Sequence, residues 1–563
     1  MQMRKIDISI ERVTQMLDEE FDVNNKVRAA TFLLAYCNIA CDLERARRVV
    51  QRIRPLAEHP DLSSLTQIWW VSRLGYFQYL TADYGAASLA FEHARRVVTE
   101  QGLQGLRAIS ILLASYEQSI AGATRNFRRM LELADEISAN VTETRPLDVW
   151  HAGHARVHYG VATGDAALIV KVGPATLEAA QQSGMVYALI QSLVWHGVGL
   201  AEAASHEEVV ETMELARVAL RQTCFDFWEP QTWFAEAYSL LRHGCREEGV
   251  NTLKRALSQE RQFGRFYANI CRMSFIVPKL FAEALSAGID PNHVRELIRK
   301  YGIRPPLNCV EAWPWPIRVC TLGRFEILID DEPLTFAGKA PKKPLALLKA
   351  LIAFGGRNVP EERLMDALWP DEEADAARKS LDITVLRLRK LLGSQEAIVV
   401  REELIGLNPE MCWVDVWAFE RRIAQTETAE GEVGLSAAAA AVALYHGNFL
   451  PADAEEPWTV KARERLRGKF VRLVETAAQA DETAGHWEKA MTHYLKGLEA
   501  DDLVEAFHLG LMRCYRALGR PAEAMTTFRR LRQTLSVVLG IAPSPAAETL
   551  AREMREDSAV RHS

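Results

Sequence analysis

Five basic side chains lie close together in one short segment in the second half of the chain. Residues 377–390 contain a single acid, Asp382, and five cations: Arg378, Lys379, Arg387, Arg389 and Lys390. Arginine carries a forked pair of donors that fits the major-groove edge of guanine, and lysine suits phosphate oxygens. The surrounding stretch 317–409 is balanced, with 14 basic and 15 acidic residues. The positive charge is therefore local, and we expect it to bind double-stranded DNA.

The same segment has the periodicity of an amphipathic helix, at about 100° per residue. One side carries the apolar residues expected to enter a core, which are Leu381, Val385, Leu388 and Leu392. The opposite side carries Lys379, Ile383, Leu386, Arg387 and Lys390, with Thr384 and Arg389 beside it. A solvated helix face is the plainer interpretation of a basic cluster. The two branched apolar residues among the outward charges favour DNA contact, because Ile383 could meet a thymine methyl group.

Other residues that could carry chemistry give weaker signals. His151, His154 and His158 share one helix face and could hold zinc, but no fourth ligand is adjacent, so we expect no metal. Most aromatic residues of the N-terminal half are typical of a core, and the few that could line a ligand-binding surface are Trp150, His154, Phe227 and Trp228. The sequence contains neither a G-x-x-x-x-G-K-S/T loop nor a G-x-S-x-G nucleophile. We therefore expect no cofactor and no enzymatic activity.

The composition is that of a globular chain with several domains. Its 563 residues are too many for one core, and its 48% hydrophobic and 25% charged residues are usual proportions. The N-terminus, MQMRKIDISIERV, lacks the apolar core of a signal peptide, and no apolar stretch is long enough to cross a membrane. We expect a cytoplasmic protein of three or four domains with no membrane partner.

Residues 1–303 have the apolar spacing of helices and repeat with a period near 40. Small residues suited to helix crossings recur at intervals of 40, 39, 43 and 40: Ala94, Ala134, Gly173, Ala216 and Ala256. An apolar residue precedes each of them by three positions: Phe91, Leu131, Val170, Met213 and Leu253. Such repeats predict a tetratricopeptide-like (TPR-like) α-solenoid. Four prolines then predict a stiff linker at 304–316.

From Ile317 the apolar period changes from helical to alternating, which predicts strands. One strand face would carry Ile317, Val319, Thr321, Phe325, Ile327 and Ile329. A turn at 330–333 and a return strand at 334–336 would follow. Three helices are predicted at 344–354, 361–369 and 376–392, and then a hairpin of 398–400 with 404–407. Together these elements predict a winged helix-turn-helix over 317–413, with a small β-sheet and the basic segment as its third helix.

Residues 414–557 return to a helical pattern with a sharper repeat. Ala490 and Tyr494 recur 34 residues later as Ala524 and Phe528, and 34 is the tetratricopeptide period. A C-terminal TPR-like helical domain is therefore expected. The predicted fold class is mainly α, with an N-terminal α-solenoid, a winged helix and this helical domain.

Three segments together resemble the SARP-type bacterial transcriptional regulators: WPIRVCTLGRFEILIDDEPL, ARKSLDITVLRLRKLLG and GLNPEMCWVDVWAFE. YHGNFLP at 445–451 and LGIAPSP at 539–545 match the same pattern. The resemblance covers residues 317 to about 554. It implies an OmpR-like winged helix followed by a bacterial transcriptional activator domain. The N-terminal repeats are similar to the sensor superhelix of MalT-type regulators.

The resemblance also implies roles for individual residues. The DNA contacts of OmpR-type domains map onto Lys379, Ile383, Thr384, Arg387 and Arg389, and the charge pattern adds Arg378 and Lys390. Leu386 stands at a position that is commonly basic, which should change the base preference. The wing tip carries Glu402 and Glu403, which repel phosphate, so Arg401 is the wing residue that could enter a minor groove.

The loop after the second helix of the winged domain is acidic, with Asp371, Glu372, Glu373 and Asp375. In this family such a loop looks like the surface that meets RNA polymerase or a neighbouring protomer. Capping of the next helix, with dipole matching ahead of Arg378, is an equal alternative. We expect a promoter-binding regulator, an activator that forms a homodimer on DNA. A small-molecule or protein inducer would act on its superhelix. The alternative hypothesis is a TPR interaction scaffold whose winged helix no longer binds DNA.

Overall fold

The computed structural model describes residues 13–560 except 16, 18–21, 41, 142–144, 224, 264–274, 307–310, 337 and 429–430. The chain divides into two compact units, Met1–Trp313 and Pro314–Ser563. Within the described ranges, no helix has both the length and the apolar character needed to span a bilayer. The predicted linker coincides with the division between the units, and residues 307–310 of it lie outside the described residues.

The N-terminal unit is a succession of helix hairpins. Its helices are α1 Val23–Ile39, α2 Leu43–Ile53, α3 Ser64–Leu80, α4 Tyr84–Glu100, α5 Arg107–Ala123, α6 Phe127–Asn140, α7 Pro146–Thr163, α8 Ala166–Ser183, α9 Val186–Ala203, α10 His206–Leu220, α11 Glu229–Arg242, α12 Arg246–Phe263, α13 Ile276–Ser286 and α14 Pro291–Tyr301. The five small residues predicted at crossings are all buried, and each lies in the second helix of a hairpin, from α4 to α12. The predicted α-solenoid is confirmed.

The apolar residue expected three positions before each small residue is less regular. Leu131 is 37% exposed, whereas Met130 is fully buried. Val170 is likewise only half-buried, and Ile169 takes its place in the core. In these two hairpins the core uses the residue four positions earlier, so the three-residue spacing is wrong there. Gly173 must be small because a Cβ atom on it would collide with the ring of His196 on α9.

The first part of the C-terminal unit is the predicted winged helix. Its strands are β1 Ile317–Cys320, β2 Glu326–Ile329, β3 Glu332–Pro333, β4 Val359–Pro360, β5 Ile398–Arg401, β6 Leu404–Leu407 and β7 Cys412–Val414. Its helices are α15 Lys342–Ala353, α16 Glu361–Leu368 and α17 Ala374–Leu391. One sheet has the strand order β3-β2-β1-β7, in which β1 and β7 are parallel, and the wing has the order β4-β6-β5.

The strand prediction at the start of this domain is wrong in two details. The single strand face expected from Ile317 to Ile329 belongs to two antiparallel strands, because the chain turns at Gly323, where φ is +83°. The return strand lies at Glu332–Pro333, just before the predicted 334–336. The strands β4 and β7 are too short to leave an alternating pattern in the sequence.

The second part of this unit is a helical domain. Its helices are α18 Asp415–Thr428, α19 Gly431–Leu444, α20 Pro457–Thr483, α21 Trp487–Ala500, α22 Glu505–Ala517, α23 Pro521–Thr534 and α24 Pro545–Val560. The predicted 34-residue repeat is confirmed, since its four residues are buried at matching positions of α21 and α23. One hydrophobic core runs from the winged helix into this domain and includes Leu347, Val414, Phe470 and Tyr494. The two domains are therefore packed together as one body.

Candidate nucleic-acid interface

The basic segment forms α17, and its inner side builds it into the winged domain. Ala377, Leu381, Val385 and Leu388 are buried, and the helix packs against α15 and α16. The helix ends before Gly393, which adopts φ +69°, a conformation that glycine reaches without strain. Burial of this stripe fixes the rotation of α17 and so selects the residues that point outward.

The outer side of α17 presents the residues predicted for it: Lys379, Ile383, Leu386, Arg387 and Lys390 are all exposed. Ile383 is 50% exposed and Leu386 is 58% exposed. Ile383 and Leu386 lie one helical turn apart and are flanked by cations. The apolar side chains can contact thymine methyl groups, and the cations can contact the phosphates beside a groove. Exposed cations beside exposed apolar side chains are what we expect of a groove-binding helix.

Thr384 does not belong to this surface. Its side chain is only 5% exposed, and its hydroxyl donates to the carbonyl of Ser380 at 2.6 Å. The predicted role of Thr384 in DNA contact is therefore wrong, because the rotation that exposes Ile383 turns the next residue toward the core.

Two of the predicted arginines are engaged with other parts of the domain. The Arg378 guanidinium lies 3.4 Å from Glu361 and 3.2 Å from Glu403, and Glu403 raises the pKa of Arg378 above its ordinary value. Arg389 donates through Nη2 to the carbonyl of Ile398 at 2.8 Å. Both side chains therefore hold the wing against α17. Neither tie could be predicted from the sequence, because the partners come from other elements of the fold.

The wing is the predicted hairpin, and its tip is acidic. Glu402 and Glu403 both adopt positive φ, +47° and +64°, as the two central residues of a type I′ turn do. Arg401, Glu402 and Glu403 are exposed. The tip therefore offers one cation and two carboxylates to any nucleic acid beside it.

The acidic loop Asp371–Asp375, whose last two residues begin α17, is exposed at its four acids, Asp371, Glu372, Glu373 and Asp375. The side chain of Glu373, the N-cap residue of α17, makes no capping hydrogen bond, and Glu372 accepts one from Ser380 at 3.0 Å. Trp369 is buried at the base of the loop. Asp375 lies in the first turn of α17, where a carboxylate complements the helix dipole, and the other carboxylates of the cluster face solvent.

A buried carboxylate joins the winged helix to the helical domain. Asp415, the first residue of α18, accepts hydrogen bonds from the backbone N–H groups of Thr321 and Leu322 and from the Thr321 hydroxyl, at 2.5, 2.7 and 2.7 Å. It also accepts from the N–H of Val416 at 2.8 Å. Burial raises the pKa of Asp415 above its ordinary value, although the four hydrogen bonds that it accepts lower the pKa in part. The group fixes the β1–β2 turn to the start of α18.

Further contacts complete this junction. The N–H of Leu450 donates to the carbonyl of Thr321 at 2.8 Å, and that of Gly323 donates to the carbonyl of Asn448 at 3.0 Å. Lys349 on α15 pairs with Asp453 at 2.7 Å. The segments WVDVWAFE and YHGNFLP thus form one interdomain junction. Both segments belong to the family resemblance. The role of Asp415 could not be predicted, because an acid at the start of a helix is its one local feature in the sequence.

The predicted ligand residues of the N-terminal unit pack into its interior. The ring of His154 lies between two tryptophans, with ring centroids 4.6 Å from Trp150 and 4.4 Å from Trp195. Burial lowers the pKa of His154 well below its usual range and that of His158 to about 3, so both rings are neutral at pH 7. Phe227 and Trp228 are fully buried in the helix stack. The prediction that these two line an open binding surface is wrong.

The described part of the chain holds no group of three or more His, Cys, Asp or Glu side chains arranged for a metal ion. His151, His154 and His158 do share one helix, α7. The ring of His151 meets Trp150 edge-on, that of His154 stacks on Trp150, and that of His158 packs against Trp195.

Two family models match the C-terminal unit. Residues 338–404 match the family described as "Transcriptional regulatory protein, C terminal". Residues 414–555 match the family described as "Bacterial transcriptional activator domain". The first match spans the three helices and most of the wing, and the second spans the helical domain.

The curated relatives are named as regulatory proteins. Regulatory protein AfsR of Streptomyces griseus is 28% identical over 217 residues, which are 38% of this chain and 22% of that protein. Transcriptional regulatory protein EmbR of Mycobacterium tuberculosis (strain ATCC 25618 / H37Rv) is 27% identical over 249 residues, 41% of this chain and 61% of that protein. The chain therefore spans less than two thirds of either relative.

Solved structures show a partial likeness. One is Mycobacterium tuberculosis EmbR in complex with a low affinity phosphopeptide, with a TM-score of 0.33 and 22% identity over 43% of this chain and 65% of that one. Another is a Rap protein complexed with competence and sporulation factor, with a TM-score of 0.36 and 10% identity over 80% of this chain and 99% of that one. At these TM-scores neither likeness informs the function.

Proposed function

We propose that this chain, a SARP-type regulator by its pairing of an OmpR-like winged helix with a bacterial transcriptional activator domain, binds promoter DNA and activates transcription. The observation that carries the proposal is the outer face of α17, where exposed cations surround two exposed apolar residues. A solvated helix face has no need of exposed isoleucine and leucine, whereas a base-reading helix uses them.

Each residue of this face has a proposed role. Arg387 donates to a guanine edge, Ile383 meets a thymine methyl group, and Lys379 and Lys390 neutralise phosphates. Arg378 and Arg389 are positioning residues, because they hold the wing in place. The wing itself contributes little affinity, since Glu402 and Glu403 oppose phosphate approach.

The experiment that tests the function is genome-wide chromatin capture of the tagged full-length protein. The test variant carries Lys379→Ala, Arg387→Ala and Lys390→Ala. A matched control carries Arg529→Ala, Arg530→Ala and Arg532→Ala, which removes three exposed charges from α23. We expect the wild type and the control to recover the same promoters and the test variant to lose them. Equal recovery by all three, or no specific DNA from the wild type, would favour the interaction scaffold.

We further propose that two copies bind direct repeats. A single winged module buries only ~600–1,000 Å² on DNA, which is modest for a specific genomic site. The shared core of the C-terminal unit gives the two domains one fixed orientation, which suits half-sites about 10–11 bp apart on one face of the duplex. Inserting five base pairs between the half-sites should abolish cooperative footprints, and inserting a full turn should restore part of them. Undiminished cooperativity with the five-base-pair insert would refute this arrangement.

The N-terminal solenoid is proposed to control DNA binding in response to a small molecule or a protein. The division of the chain at Trp313 and Pro314 supports treating the units as separable. A fragment that begins at Pro314 should bind captured promoters without an inducer. If that fragment folds, as judged by circular dichroism, yet binds none of them, the proposed control by a separable unit fails.

A further inference from the structure

A second charged surface lies where the winged helix meets the helical domain. A cleft of about 510 Å³ opens between the C-terminal end of α15, the start of α16, α18 and the first turns of α20. The side chains that shape it are Phe354, Arg363, Glu420, Trp458, Lys461 and Arg465. The cleft is therefore built by both domains of the unit.

The cleft is basic and has aromatic walls. Arg363, Lys461 and Arg465 are exposed. Its carboxylate, Glu420, is already bound by Arg465 and by Lys469 from the same α20, the latter at 2.6 Å. The Arg363 guanidinium lies 4.0 Å from the centroid of the Phe354 ring, which holds it at the rim. A cleft with this excess of positive charge suits a segment rich in carboxylates.

The acidic loop of Asp371–Asp375 has the complementary charge. DNA phosphates repel it, whereas a cationic protein surface attracts it. It cannot enter the cleft of its own chain, because the loop follows the C-terminal end of α16 whereas Arg363 lies in the first turn. The eight residues of α16 span ~12 Å. Its partner surface must therefore belong to another molecule.

We propose that the acidic loop of one copy docks into this cleft of the next copy when two copies occupy neighbouring direct repeats. The inference rests on the proposed function. Copies arranged head to tail need two different and complementary faces on each protomer, and the loop and the cleft are such a pair on one compact unit. Contacts of this kind set orientation and cooperativity more than affinity for a single site.

Charge exchange tests the proposal. The cleft variant carries Arg363→Glu and Lys461→Glu, the loop variant carries Asp371→Lys and Glu373→Lys, and a third protein carries all four changes. Gel-shift titrations would use a captured promoter fragment trimmed to one half-site or to two. We expect the cleft and loop variants each to lose cooperativity at least about tenfold, because like charges then meet. Binding to one half-site should stay within about threefold, and the four-change protein should regain most of the cooperativity.

Every other outcome overturns the pairing. If the cleft variant loses as much affinity for one half-site as for two, the cleft holds DNA phosphate. If cooperativity is unchanged while transcription with purified RNA polymerase falls, the loop meets the polymerase. If the four-change protein regains nothing, the loop and the cleft are not partners. Failure of the wild type to bind any half-site would instead contradict the proposed function itself.

Discussion

Replacing Asp415 should uncouple the winged helix from the helical domain. Asp415 is 4% exposed, and alanine would leave the N–H groups of Thr321 and Leu322 buried without an acceptor. Each buried donor that loses its partner costs ~1–3 kcal/mol. With the Thr321 hydroxyl and the N–H of Val416 also affected, Asp415→Ala should destabilise the junction by ~3–6 kcal/mol. That is a large share of the ~5–15 kcal/mol that stabilises a typical domain.

Asparagine should be the milder change at this position. The amide oxygen can keep the place of Oδ2, which faces the two backbone donors, and the amide NH₂ can then donate to the Thr321 hydroxyl. This leaves the N–H of Val416 as the donor that loses its acceptor. The expected cost of Asp415→Asn is therefore ~1–3 kcal/mol.

Hydrogen exchange measured by mass spectrometry reports this cost locally. The reporters are the amides of Gly323 and Leu450, which cross the junction without contacting Asp415. Asp366→Ala, which removes an exposed acid from α16, is the matched control and should change nothing. A loss of protection below ~1 kcal/mol for Asp415→Ala, or a greater loss for asparagine than for alanine, would refute the reasoning.

Three further changes test other parts of the account. Gly356→Ala puts a Cβ atom 2.6 Å from the Trp417 ring, at a φ of +76° that alanine rarely adopts. Urea denaturation should therefore show that the free energy of unfolding falls by ~1–3 kcal/mol, and an unchanged midpoint would contradict the contact. Glu403→Gln releases Arg378 from one of its two carboxylates, leaving Glu361, and removes a negative charge from the wing. Nonspecific DNA affinity in fluorescence anisotropy should therefore rise, with a salt slope steeper by up to ~0.9, and an unaltered slope would argue that the wing lies away from DNA. Because the pKa of His158 falls from 6.5 to about 3 on folding, its contribution to the free energy of unfolding is complete above pH 6.5 and declines by up to ~1.4 kcal/mol per pH unit below it. Thermal denaturation between pH 7 and pH 5 should therefore show a shallower loss for His158→Leu than for the wild type, and identical slopes would exclude this histidine as the cause.

Much of the fold could be predicted from the helical spacing of apolar residues, because each helix buries one continuous stripe of them. The inner stripe of α17 and the 34-residue repeat of α21 and α23 are local patterns, and both are buried as expected. The resemblance to OmpR-type domains assigns Thr384 to the DNA-contacting face. That assignment is wrong because a resemblance carries no information on the exact rotation of this helix. Phe227 and Trp228 were placed wrongly because a buried aromatic and a ligand-facing aromatic have the same sequence signature.

The contacts between elements could not be predicted from one sequence. Arg378 and Glu403 are 25 residues apart, and Thr321 and Asp415 are 94 apart. The spacing of apolar residues around these side chains does not indicate which residue each of them contacts. The basic cleft is a further case, since Arg363 and Lys461 come from different domains and line one cleft only because the shared core packs the domains together.

The most direct test of the central claim compares three positions of α17. Gel-shift titrations would use a captured promoter half-site and a scrambled duplex of the same composition. Arg387→Ala should weaken binding to the half-site by ~1–3 kcal/mol and leave the scrambled duplex nearly unaffected, because one base contact is lost. Lys390→Ala should weaken both duplexes equally, and Thr384→Val should change neither, since its side chain is buried. Unchanged half-site binding by Arg387→Ala, or an equal loss on both duplexes, would contradict the claim that this face of α17 reads DNA sequence.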